Sequence, residues 1–405
     1  MTTTSLALYT YANDSNHCVF LIAADVMLLT DVFETFREVS MEQDRFQVDP
    51  AHYVSAPQMA WDAMLNKTNV KLDLVSDPAM FRMFEGGMRG GVCMISKRFS
   101  QANNKYMGEH YDPTKPSKYI IDLDANNLYG WAMSQFLPTG DFKWVPAEEF
   151  NRIDWSKLEP TDPVGYAVQC DLEYPPELHA LHNEYPMAPE RLDITVEMLS
   201  DTQVQLSRHY ARNRTRTNVK LVPNLMNKVK YTTHYLNLKF FLGHGMKLTK
   251  VHKVISFAQS RWMEPYISMN TSMRAKANNE MEKNFHKLMN NAVYGKTCEN
   301  QRKRSDIRLV TDMHEAEKLV SKPHCVDVRR FSDTLLGIEM KKVKLVMSKP
   351  SYIGFCVLEL SKLHMMRYTP DLETNHSYDS CIELLHVTAT SYICFTCLHM
   401  CLPVV

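Results

Sequence analysis

Lys118 to Gln135 reads KYIIDLDANNLYGWAMSQ. The apolar run Tyr119-Ile120-Ile121 has the character of a buried strand, and it ends in Asp122-Leu123-Asp124. A helix-forming run, Leu128 to Gln135, follows at once. A carboxylate at the end of a strand, just before a tight turn, is well placed to hold Mg²⁺ while the chain ahead covers a substrate. Far downstream, Lys283 to Gly295 reads KNFHKLMNNAVYG, inside a helical pattern rich in Lys and Arg that runs from Glu264 to about Gly295. Lys283 and Lys287 are spaced i,i+4, so they share one helix face and can meet phosphate together. By spacing alone, such a pair is usually a solvated helix face.

The elements that must position these residues follow a coarse pattern. DVMLLTDVFETFREV, from Asp25, has apolar residues at helical spacing. Asp77-Pro78 opens a short helix to Met88, and Arg89-Gly90-Gly91 and the strand-like VCMISKRF come next. Pro138 to Pro189 is Pro-rich and loop-like, interrupted by a strand at Tyr166 to Leu172. KFFLGHGMKLTKVHKVISF reads as helix, Gly-containing turn and strand. Leu335 to Met347 alternates like a strand pair, and Ile353 to Leu363 is an apolar helix.

The chain has 405 residues, 45% hydrophobic and 23% charged, enough for a sizeable core and two or three domains. No run is apolar enough to span a membrane, and the first residues lack the order of a signal peptide. The 10 Cys form no regular framework and read as reduced thiols of an intracellular protein. The net charge is zero. Even so, from Thr202 to Met263 there are Lys and Arg but no Asp or Glu. A tract that one-sided attracts phosphates by releasing their counterions.

The two opening segments together resemble family B DNA polymerases. Asp124, Leu128 and Tyr129 match their motif A, Asp-x-x-x-Leu-Tyr. Lys287, Asn291, Tyr294 and Gly295 match motif B, Lys-x-x-x-Asn-Ser-x-Tyr-Gly, with Ala292 in place of the Ser. The wording around both is similar to the protein-primed branch found in Polinton (Maverick) transposons, related viruses and linear plasmids. The resemblance covers roughly Asp25 to Lys362. It implies an α+β fold, a polymerase palm of mixed or antiparallel sheet with helical fingers.

The resemblance also implies roles. Asp124 is the catalytic metal ligand, helped by the backbone carbonyl of Ala125, for two Mg²⁺ or Mn²⁺ ions. Tyr129, beside Leu128, stacks under the deoxyribose and excludes a 2′-OH. Arg274, Lys276, Lys283 and the catalytic Lys287 grip the incoming triphosphate. Asn291, Tyr294 and Gly295 meet the nascent base pair. Gly90 and Gly91, after Arg89, touch the template strand, and Lys97 and Arg98 add local positive charge for DNA binding. Arg212, Arg214, Arg216, Arg302, Lys303 and Arg304 add DNA-binding charge. The implied partners are template and primer DNA, dNTPs and a terminal priming protein, at a nuclear or viral replication site, with no membrane.

The implied division is an unmatched 1–24, the end of an exonuclease domain at 25–90, palm with motif A at 91–138, and an insertion with the basic tract at 139–230. Palm follows at 231–261, fingers with motif B at 262–305, palm at 306–375 and an off-pattern tail at 376–405. Asp25 falls where the third exonuclease motif has its Asp, with Leu21 at the Tyr position. Its companion motifs are missing, so proofreading is expected to be lost, as is the thumb.

The family's motif C, a hairpin carrying Asp-Thr-Asp, is due after Leu363. The chain instead has Glu383-Leu384-Leu385-His386 followed by VTATSYICF, with no Asp or Glu beyond Glu383. Shifting the frame by one nucleotide across the codons allowed for His386 to Cys394 permits Cys-Asp-Ser-Asp-Ile-Leu-Tyr. As written, the chain is expected to be nearly inactive. The competing expectation is a DNA-binding remnant without catalysis. An unrelated metal-dependent nuclease would need more carboxylates around Asp124 than Asp122 alone.

Overall fold

A computed structural model describes residues 15–42, 46–97, 99–210, 219–301, 305–344, 346–367, 382–387 and 392–397. In chain order the elements used below are α1 (Ser15–Met41), α2 (Ala56–Thr68), α3 (Pro78–Gly87), β1 (Met94–Ile95), β2 (Tyr119–Asp124) and α4 (Leu128–Met133). Then come β3 (Leu137–Trp144), β4 (Val164–Glu173), β5 (Glu190–Asp193), β6 (Val219–Val222), β7 (Lys228–His234), α5 (Tyr235–Gly243) and β8 (Lys247–Ser260). They continue as α6 (Glu264–Lys276), α7 (Glu280–Thr297), β9 (Asp306–Val310), α8 (Met313–Val320), β10 (Cys325–Ser332) and β11 (Leu335–Met340). The last are α9 (Ser351–Arg367), β12 (Ile382–Val387) and β13 (Tyr392–Cys397). No described helix is long and apolar enough to cross a membrane.

The chain forms two compact units, residues 1–70 with 262–296, and residues 71–261 with 297–405. The first unit is helical. Its core gathers Phe46, Met59, Ala60, Met64, Tyr266, Met289 and Val293, all buried. Phe285 meets Phe36 edge-on at 5.2 Å and Phe46 at 5.8 Å. The Tyr266 hydroxyl donates to the Met289 oxygen at 3.2 Å, fixing α6 to α7. Arg37 grips Asp49 from two nitrogens, Nε at 2.9 Å and Nη2 at 2.7 Å. Such a fork holds its geometry better than a single contact.

The helical pattern expected to run unbroken from Glu264 is two helices. Residues 277–279 separate them, and Asn279 Oδ1 accepts from the Glu282 amide at 2.8 Å while Glu282 Oε2 accepts from the Asn278 amide. This reciprocal cap satisfies amides that a new helix start leaves open.

The second unit holds four antiparallel sheets, ordered β3-β8-β4-β7, β1-β12-β13-β2, β10-β11-β9 and β5-β6 among the described strands. β3 and β4 lie within the stretch expected to be loop-rich, and they pair with β8 along its length. α9 packs against α3, α4, α5, β3 and β7. Nearly every one of its side chains is buried, which explains why its sequence is apolar all round. An aromatic cluster joins its start to the first sheet, with Phe142 4.5 Å from Tyr352 and Phe84 5.6 Å from Phe355. The strand pair expected at Leu335 to Met347 is β11 alone, whose partners are β9 and β10.

Candidate active site

β2 ends at Asp124, which is exposed. Ala125 is half-buried, and Asn127 then adopts the left-handed conformation, φ 55° and ψ 47°. Asn tolerates this region better than most residues. The Trp131 amide donates to the Asn127 oxygen at 2.9 Å and so starts α4. A Cβ at Gly130 would run into the Asn127 side chain and force it to shift.

Leu128, Ala132 and Met133 are buried, and the Trp131 ring stacks on His364 of α9 at 3.7 Å. Leu128 therefore serves as a core anchor for the turn. Tyr129 is half-buried. Burial raises its hydroxyl pKa, and the nearby Cys298 thiol adds to the rise. That thiol belongs to the segment following motif B.

β2 pairs with β13, and β13 with β12. Asp124 stands opposite Tyr392, while Val387 stands opposite Ile393. Tyr392 begins β13, directly after the segment that joins β12 to β13 in sequence. By sequence that segment is Thr388-Ala389-Thr390-Ser391, without a carboxylate. Glu383 cannot substitute. It pairs with Thr396, which pairs with Ile120, four residues from Asp124. That is about 13 Å along the strand. Among the described residues no three His, Cys, Asp or Glu side chains gather where a metal ion could sit. One carboxylate does not fit a two-ion centre.

On α7 the predicted residues fall on one stripe. Lys283, Lys287, Asn291 and Gly295 are all exposed, and Tyr294 beside them is half-buried. The opposite face buries His286, Met289, Asn290 and Val293. Arg274 and Lys276 are exposed in the last turn of α6.

Arg89 is only 8% exposed, so its guanidinium faces inward and away from solvent. It donates to the Thr232 oxygen at 2.8 Å and lies 3.8 Å from the centre of the Tyr231 ring. Lys362 donates to the Arg89 oxygen at 2.8 Å and approaches Glu359 Oε1 at 2.8 Å. Glu359 Oε2 in turn accepts from Thr233 Oγ1 at 2.7 Å and from the His234 amide at 3.2 Å. Burial pushes the Glu359 carboxyl up, but Lys362 and Arg89 beside it bring it below the usual value. Burial also lowers the Lys362 pKa. Sequence reasoning missed this pair, although opposite charges at i,i+3 in the otherwise apolar GFCVLELSKL were the signal.

The network leaves Gly90 exposed and Gly91 half-buried at the surface of the loop. Lys97 is exposed. Arg98, Arg212, Arg214, Arg216, Arg302, Lys303 and Arg304 lie outside the described residues. The basic tract is less free than its sequence suggests. Lys228 is buried against Glu190 at 3.0 Å, Lys239 meets Glu159 at 2.7 Å, and Lys247 meets Glu173 at 3.7 Å. Acids from β4, β5 and the 159–162 turn supply what the tract lacks.

No curated protein matches the chain. Among solved structures, it is similar to Phi29 DNA polymerase in an orthorhombic crystal form, with 12% identity and a TM-score of 0.51 over 90% of this chain and 51% of that one. It also matches Phi29 DNA polymerase complexed with primer-template DNA and incoming nucleotide substrates, at 14% identity and a TM-score of 0.46 over 87% of this chain and 50% of that one. At 12% identity the first of these likenesses is one of fold. The chain spans about half the length of both structures. A profile of one family, described as DNA polymerase type B, organellar and viral, matches residues 21–374. With most of the chain inside that match, the protein belongs to the type B DNA polymerases of the organellar and viral group.

Proposed function

We propose that this chain carries the palm and fingers of a protein-primed DNA-directed DNA polymerase, and that its literal sequence is impaired in nucleotidyl transfer. The observation that carries the reading is the pairing of Asp124 with Tyr392, the first residue of β13 after its connection from β12. A second carboxylate belongs in that connection. The aspartates of the shifted reading frame would fall at about residues 388 and 390, on the same connection.

Bound divalent ions would supply activation of a primer hydroxyl and charge neutralisation for a leaving pyrophosphate, with Asp124 among the groups to hold them. The donors here fall short of that centre. The chain's own contribution is positional. Asp124 stands exposed at a strand end and Tyr129 is half-buried in the first turn of α4, while on α7 the exposed stripe of Lys283, Lys287 and Asn291 presents cations and an amide. Template and primer DNA, dNTPs and a priming protein are the partners of this reading.

The test is primer extension with Mg²⁺ and dNTPs. The chain as written should extend weakly, and the Thr388→Asp/Thr390→Asp variant should extend well. Asp124→Asn in that background should abolish the gain. Robust extension by the literal chain that survives Asp124→Asn would sink the assignment. Failure of the aspartate variant to extend, with DNA still bound, would favour a non-catalytic DNA-binding remnant.

A further inference from the structure

A cavity of about 550 Å³ lies at one end of the β10-β11-β9 sheet, within the second unit. The sheet carries its own small core, in which Val310, Ala316, Leu319, Ile338 and Met340 are buried. That core fixes the strand ends from which the cavity is built. One step beyond the pairing of Cys325 with Met340, the Lys341 amide donates to the His324 oxygen at 2.8 Å. Gln301 Nε2 donates to Ser348 Oγ at 3.1 Å and ties the chain before β9 to the chain before α9. Walls held this way are largely preformed.

Basic side chains from three separate segments line it: Arg308 of β9, Lys341, Lys342 and Lys344 after β11, and the half-buried His324 before β10. The one acid in the lining is Asp306, and Arg308 already lies 3.5 Å from it. The three lysines are exposed and have no ion-pair partner among the described residues. Like charges gathered without a counterion repel one another. Another cavity of the same unit holds no such excess, with Glu85 and Glu299 against Arg191 and Lys349. The excess is a property of this place, and it selects a multiply charged anion. Lysine meets phosphate as an adaptable point charge. A nucleic-acid backbone presents its phosphates along an extended track. Here the cations converge on one concavity, which suits a compact chain of phosphoryl groups.

We infer that this cavity binds a free oligophosphate, either the tail of a nucleotide or an inorganic chain, at a site apart from the residues assigned to nucleotidyl transfer. None of Asp124, Tyr129, Lys283 and Lys287 lines it. The inference does not rest on the polymerase reading. Occupancy neutralises the lysines and bridges the segments around the strand ends, so it stabilises the folded chain.

The probe is sodium tripolyphosphate, titrated calorimetrically into the full chain without Mg²⁺. It should bind and raise the melting temperature. Lys341→Ala, Lys342→Ala and Lys344→Ala should each weaken binding about tenfold, the scale of losing one charge-assisted hydrogen bond. Because these lysines are exposed, the unliganded variants should melt no lower than the unaltered chain. Lys287→Ala should leave the affinity unchanged. Orthophosphate, which spans fewer cations, should bind at least about tenfold more weakly. A nucleoside triphosphate separates the two sources: affinity equal to or above that of tripolyphosphate identifies a nucleotide, and lower affinity an inorganic chain. No tripolyphosphate binding, or binding lost in Lys287→Ala yet kept in all three lysine variants, overturns the inference. Displacement of the bound probe by an oligonucleotide without terminal phosphates also overturns it, since the cavity would then belong to a nucleic-acid track. Each of these failures leaves the polymerase reading to its own primer-extension test.

Discussion

Lys362 Nζ lies 2.8 Å from the backbone oxygen of Arg89, a hydrogen bond between residues 273 positions apart. It is buried, and the same ammonium neutralises Glu359. Removing one member of a buried pair strands the other charge, at a cost of about 3–5 kcal/mol. Lys362→Met should therefore lower the melting temperature sharply. Adding Glu359→Gln should recover much of the loss. Thermal unfolding of the single and double variants checks this, and a double variant no better than the single would refute the pairing.

His234 gives the fold a pH dependence. Burial holds its imidazole down at about 4, although the Glu359 charge opposes the shift. In the unfolded chain it returns to about 6.5. Between those values the unfolded state binds a proton that the folded state refuses. Stability is thus fully present above about pH 6.5 and declines as the pH falls toward 4, by at most about 3 kcal/mol from this group. Denaturant unfolding across that range should show the decline, and His234→Asn, which can still cap α5, should reduce it by one proton.

Gly354→Ala should destabilise the second unit. The added methyl meets Cys298 and Thr297 in a packed core, where overpacking costs about 1–3 kcal/mol. The helix propensity gained by Ala, about 1 kcal/mol, offsets only part of that. A melting temperature equal to or above that of the unaltered chain would show that the segment can shift.

The α7 stripe separates binding from stability. Lys287 is exposed, so Lys287→Ala should leave the melting temperature within about 0.5 kcal/mol of the starting stability. In the Thr388→Asp/Thr390→Asp background it should lower kcat/KM for dNTPs roughly a hundredfold, the scale of losing one electrostatic contact to a transition state. Lys228→Ala is the contrast. Its ammonium is buried beside Glu190 and Asn224, so the loss should appear in stability.

Local signals in the sequence carried far. Asp77 caps α3 as its Asp-Pro start announces, with Oδ1 accepting from the Ala79 amide at 2.7 Å. The apolar run at Ile353 to Leu363 is the buried helix it resembles, extended at both ends. The stripe on α7 follows from i,i+4 spacing alone. What escaped was non-local or lay in short polar stretches. The break at 277–279 depends on Asn279 outcompeting helix continuation. The neutralisation of the basic tract depends on acids up to 80 residues away. Arg89 looked like a ligand for DNA until its partners on β7 and α9 were seen.

β2 is made early, yet its ladder partner β13 is the last described strand of the chain. At a translation rate of roughly 5–20 residues per second, the ribosome needs on the order of 15–50 seconds to supply that partner. For that interval the segment bearing Asp124 is an open, apolar strand with no ladder to join. Yield of the intact protein should accordingly respond to chaperone supply and to the speed of synthesis.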